Sequence, residues 1–96
     1  MKALQRKATE FRLPEITTPE NLEAAFFTDS AVFLNYGSRF LMAGYFFRGC
    51  GESSYYAAIY EFVGKKHTCE DEIRLTEISE GFFPDNGSAI AWAINH

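Results

Sequence analysis

The chain has 96 residues, 47% of them hydrophobic, and a formal net charge of −4. That length supports one core and so a single domain over residues 1–96, and the apolar content excludes wholesale disorder. A net negative chain is a poor match for a partner held through its phosphates, so nucleic acid is not the expected partner.

The charge is uneven: residues 1–50 carry +1 and residues 51–96 carry −5. The acidic half can keep the protein dissolved or face a basic partner. The N-terminal stretch MKALQRKATEFRL lacks the apolar core of a secretory signal, and no apolar run approaches the roughly 20 residues that span a bilayer. Cys50 and Cys69 do not make a disulfide scaffold. The expected location is the cytoplasm, with no membrane association.

In chain order, Thr9–Leu13 alternates apolar and polar residues and reads as a short edge strand stopped by Pro14. Thr17-Thr18-Pro19-Glu20 is a helix start. Thr18 can cap the free N–H groups, Pro19 suits the first turn, and Glu20 and Glu23 favour the positive end. That helix is expected to run to about Phe27, with Leu22 and Phe26 on one face. Ala31–Tyr36 and Arg39–Arg48 read as strands joined at Gly37-Ser38, which suits a type II′ turn. Gly49 to Ser53 connects to a third strand, Ser54–Val63, and Gly64-Lys65-Lys66 reverses the chain. Residues 67–78 are ambiguous. Ile73 and Leu75 alternate as in a strand, whereas Leu75, Ile78 and Phe82 fit a helix face; the preceding turn favours a strand. Pro84 to Gly87 is a turn, and Ala89–Asn95 reads as a last strand because Ile90, Trp92 and Ile94 alternate. The expected fold is α+β: an antiparallel sheet of four or five strands with one short N-terminal helix (about residues 19–27) packed on one face.

Twelve of the 16 aromatic residues fall between Phe26 and Phe62. On Arg39–Arg48 one side carries Phe40, Met42, Gly44 and Phe46, and the other Leu41, Ala43, Tyr45 and Phe47. On Ser54–Val63 the sides carry Tyr56, Ala58, Tyr60 and Phe62 against Tyr55, Ala57, Ile59 and Val63, the latter interrupted by Glu61. A solvated face of an antiparallel sheet would alternate with polar residues; this one does not. The expected helix covers one face. The other needs closure of the sheet on itself, a twin subunit or a partner.

Candidate chemistry is sparse. Cys50 follows an arginine and a glycine, and His67 with Asp71 could serve it as an oriented base, but nothing in the spacing joins them. Cys50, His67, Cys69 and His96 lack paired zinc-ligand spacing, and Glu70-Asp71-Glu72 reads as a solvated rim, so no metal and no cofactor is expected. Tyr45, Phe47, Tyr56 and Tyr60 could stack bases, but Arg39, Arg48, Lys65 and Lys66 sit mostly at strand ends and form no groove.

The sequence therefore points to a non-enzymatic protein-binding module. Tyr45, Phe47, Tyr56 and Tyr60 are its expected hydrophobic anchors, and Glu70, Asp71 and Glu72 its acidic rim, facing a basic or nucleic-acid-handling protein complex. Small inhibitors that phages and mobile elements direct against host defence complexes (anti-CRISPR-like) share this size and acidity, an analogy of class that no motif carries. The alternatives are a homodimeric structural or regulatory protein and a single-stranded nucleic-acid-binding sheet.

Overall fold

Antiparallel pairing of the aromatic runs organises the chain, and a computed structural model describes residues 2–27, 31–46 and 54–96. The elements are α1 (Lys2–Phe11), β1 (Ile16–Thr17), α2 (Pro19–Ala25), β2 (Val32–Tyr36), β3 (Arg39–Tyr45), β4 (Tyr55–Phe62), β5 (Ile73–Ile78) and α3 (Asn86–Asn95). The sheet has five strands in the order β1-β5-β4-β3-β2, every neighbouring pair antiparallel. An α+β fold results, with β2 to β5 as a meander and β1 added at one edge. Among the described residues no helix is long and apolar enough to cross a membrane.

The N-terminal helix signal holds. Thr18 Oγ1 accepts from the Asn21 N–H at 3.2 Å, Pro19 opens α2, and Leu22 and Phe26 turn inward. The first hairpin also forms as its residues require. Tyr36 pairs with Arg39, and Gly37 alone in the turn takes a positive φ, 62°. The strand reading of residues 67–78 is correct over β5, and a bulge explains its helix-like spacing. Ile59 faces Glu77 while the next residue, Tyr60, faces Leu75, so Thr76 is extra. The Thr76 hydroxyl donates to the Ile59 carbonyl at 3.0 Å. One extra residue shifts the alternation, which puts Ile73, Leu75 and Ile78 in one core.

Two expected strands are helices. Thr9–Leu13 is the end of α1. The Leu13 N–H donates to the Ala8 carbonyl at 2.8 Å and the Arg12 N–H to the Thr9 carbonyl at 3.2 Å. With Arg12 at φ 60°, this is a Schellman stop in which arginine occupies the usual glycine position. The alternation of Phe11 and Leu13 reflects that stop, which turns both side chains into the core.

Ala89–Asn95 belongs to α3. Asp85 caps it, its carboxylate accepting from the Ser88 N–H at 2.6 Å. The residues between the alternating Ile90, Trp92 and Ile94 are alanines, the best helix formers. Ala89 and Ala93, four apart, lie flat on the sheet, with Ile90, Trp92 and Ile94 half-buried at the flanks and Ala91 exposed.

These three helices settle the coverage of the two faces. The first face, with Phe40, Met42, Tyr56, Ala58 and Tyr60, is buried beneath Ala8 and Phe11 of α1, Leu13, and Leu22 and Phe26 of α2. The second, with Leu41, Ala43, Ala57 and Ile59, is buried beneath α3. Ala43 and Ala57 stand directly opposite each other and make a shallow seat for Ala89 and Ala93. Burying Leu41 and Ile59 contributes about 1.5–3 kcal/mol each, a large part of a net stability of roughly 5–15 kcal/mol. The covered sheet therefore depends on α3.

The Ser88 N–H lowers the pKa of Asp85 below its ordinary value of 3.8. A depressed carboxylate stabilises the fold above its unfolded pKa, and that contribution is lost as pH falls through the lower folded value. Asp85→Ala is expected to lower the melting midpoint at pH 7 by a few degrees and to flatten its fall below about pH 4. Asp85→Asn, which still caps, should keep most of the midpoint at pH 7 and lose the same acid dependence. Thermal melts from pH 7 to pH 3 check both.

Candidate functional site

The residues singled out in the sequence do not form one surface. Tyr56 and Tyr60 are 2% and 0% exposed and lie in the core beneath α1 and α2, which corrects their expected place as surface anchors. The Tyr60 hydroxyl donates to the Pro14 carbonyl at 2.7 Å, and burial, with Tyr56 nearby, pushes its pKa upward. Tyr45 is exposed at the end of β3, edge-on to Tyr55 with ring centroids 5.5 Å apart. Phe47 and Cys50 lie outside the described residues. Glu70, Asp71 and Glu72 lie at the opposite end of the sheet, in the connection from β4 to β5. There the Asp71 carboxylate accepts from the Thr68 N–H at 2.9 Å, and Glu72 pairs with Arg74 at 3.0 Å.

The groups weighed for chemistry are dispersed as well. His67 stacks on Phe62 at 4.7 Å, and Cys69 is exposed. His96 Nε2 meets Glu77 Oε2 at 2.6 Å and its ring stacks on Trp92 at 4.3 Å. Among the described residues no three His, Cys, Asp or Glu side chains come together as a metal site. Both sheet faces are covered, so the bare aromatic platform expected for bases or a partner is absent among the described residues.

What the fold assembles instead is a cleft at the Tyr45 end of the sheet. The Schellman stop of α1 drives Phe11 inward, where its ring lies parallel to that of Tyr56, 4.2 Å between centroids and 5° between planes. Phe46 stands edge-on to Phe11 at 5.0 Å. The Tyr56 ring occupies the space above Gly44, where any Cβ would overlap its hydroxyl-bearing end. Phe11, Phe26, Tyr45, Phe46 and Tyr56 line a cavity of about 440 Å³, with Glu10 and Arg12 beside them.

Arg12 holds a left-handed conformation that costs a non-glycine residue about 1 kcal/mol, and such strain gathers at functional sites. Among the described residues neither Glu10 nor Arg12 has an ion-pair partner. Sequence reasoning reached Tyr45 and Tyr56 but missed Glu10, Phe11, Arg12, Phe26 and Phe46 as a group. The available signal was Phe11 flanked by opposite charges just before Pro14.

A second hollow, of about 430 Å³, lies between the end of β5 and α3, with Glu77, Glu80, Trp92 and His96 among its walls. A third feature is the open edge of the sheet at β2. Its sequence, VFLNY, contains no charge and no proline, and Val32 and Tyr36 are exposed. Among the described residues no strand pairs with its outer side.

Residues 13–96 match the family described as nucleotide modification associated domain 4, and the chain belongs to that family. No curated protein and no solved structure matches it.

Replacing Gly44 with alanine must displace the Tyr56 ring or the strand. Gly44→Ala is expected to cost about 1–3 kcal/mol in urea denaturation. In the Tyr56→Ala background the same change should cost much less, because the obstructing ring is gone. Additive losses in the double variant would contradict this geometry.

Proposed function

We propose that this member of the nucleotide modification associated domain 4 family is a non-enzymatic binding module of a nucleotide-modification system. Its partner is a protein that adds an extended segment to the open edge of β2. The observation that carries this reading is the edge itself. Natural sheets blunt their edges with charges, prolines or bulges, and a five-residue strand with none of these is a template for pairing. Tyr36 and Arg39 flank a two-residue turn and form a hydrogen-bonded pair, as do Leu34 with Leu41 and Val32 with Ala43. The backbone N–H and C=O groups of Phe33 and Asn35 therefore point outward, away from β3.

Charge supports a basic partner. The Phe62 N–H donates to the Ser38 carbonyl at 2.9 Å, which places the β4–β5 connection at the same end of the sheet as the β2–β3 turn. Glu70, Asp71 and Glu72 in that connection would steer positive charge toward this end. Capture of a nucleotide-modifying enzyme would make the module an accessory. Capture of a host defence component would make the same edge that of an inhibitor. A second copy of the chain would pair β2 with β2 about a two-fold axis.

Asn35→Pro tests the edge directly. Asn35 is exposed, and its N–H points outward, so proline removes a donor without breaking the β2–β3 ladder. The expected result is an unchanged fold by circular dichroism and loss of a partner co-purified from the modification system. Light scattering at twice the 10.9 kDa chain mass, returning to monomer in Asn35→Pro, would assign the edge to self-association. Partner capture unaltered by Asn35→Pro would overturn the edge reading.

A further inference from the structure

We infer that the aromatic cleft beside Arg12 is a binding site for a nucleotide, which stacks its base on the Phe46 ring and places its phosphate on the guanidinium. The inference rests on membership of the nucleotide-modification family and is independent of the β2 edge.

The cavity of about 440 Å³ falls within the roughly 300–1,000 Å³ of small-ligand sites. Its walls are flat rings in two orientations: the parallel Phe11–Tyr56 pair, and Phe46 standing across it. Phe46 is half-buried on the same sheet face as Phe11 and Tyr56 and offers ring surface to an entering base, whereas the Tyr45 ring lies against Tyr55. Base–aromatic stacking is strong and tolerant of base identity.

The charges beside the rings fit the remainder of such a ligand. Among the described residues Arg12 has no carboxylate partner, and its guanidinium presents paired donors that match two phosphate oxygens. Glu10, two residues away, is an acceptor that suits the N–H donors on a base edge. An apolar ligand would use neither group, and a metal ion would be repelled by Arg12. The net charge of −4 opposes a long polyanion, whereas one phosphate needs only one local cation. The left-handed Arg12 supplies the last element. Glycine would end α1 there without strain, yet the position carries an arginine, the one cation among the described residues that line this cleft.

A free nucleotide and a nucleotide within a short single strand share this chemistry. Calorimetric titration of the full chain with the four deoxynucleoside 5′-monophosphates, their nucleosides and a short single-stranded oligonucleotide tests the site and separates the sources. At least one monophosphate or the oligonucleotide should bind saturably. The phosphate should contribute about tenfold over the matching nucleoside. Arg12→Gly should abolish that phosphate gain while the melting midpoint stays level or rises, because glycine relieves the positive φ. Arg12→Asn, also tolerant of that conformation, is the second variant. Phe46→Ala should weaken binding about tenfold by loss of stacking. Both Arg12 variants should still capture a protein partner at β2, so failure here is distinct from failure of the edge. No saturable binding up to about 10 mM of any probe would overturn the inference. So would a phosphate gain that survives in both Arg12 variants.

Discussion

A sheet that is apolar on both faces must be covered twice, and a chain of 96 residues has few elements with which to do it. The two sides are closed by different means. On one, large rings from β3 and β4 interleave with Phe11, Leu22 and Phe26 brought by α1 and α2. On the other, the opposed Ala43 and Ala57 let Ala89 and Ala93 bring α3 close. Small residues on both partners shorten the approach, and Leu34, Tyr55, Phe83, Ile90, Trp92 and Ile94 pack around the buried Leu41 and Ile59. Among the described residues, what remains uncovered is the β2 edge and the ends of the sheet.

The cleft arises where the first of these closures stops. α1 ends abruptly at Arg12, Gly44 leaves room for the Tyr56 ring, and Tyr45 and Phe46 continue beyond the covered part of β3. The same Schellman stop that buries Phe11 and Leu13 turns Arg12 outward beside the rings. Core packing and cleft formation are one event in this segment. The β2 edge lies elsewhere on the sheet and owes nothing to it, so the two surfaces can be altered separately.

Local chemistry made part of this legible. The Thr18-Pro19 cap and the Gly37-Ser38 turn need only neighbouring residues, and both stand as read. The two misread segments each imitate a strand for a definite reason. In residues 89–95 alternate large side chains are separated by alanines, which are neutral to a two-residue period but place a flat seam on a helix. The Asp85 cap that would have decided the matter sits inside a stretch that also reads as a turn. In residues 9–13 the alternation comes from a left-handed arginine, a conformation that composition does not signal. The β5 bulge produced helix-like spacing by the same kind of local offset. Of the site, the aromatic side was visible in Tyr45 and Tyr56, read as anchors on the two central strands. Glu10 and Arg12 became neighbours of it only through the tertiary fold.

Closure of the second face requires α3 to belong to the same cooperative unit as the sheet it covers. Native-state hydrogen exchange measures this amide by amide. The amides of Ile90 and Ala93 in α3 and of Met42 and Ala58 in the central strands are expected to exchange with one common free energy, that of global unfolding. Exchange of the α3 amides near the rate of an unstructured chain, with the strands still protected, would contradict it. The second face of the sheet would then be open to a partner.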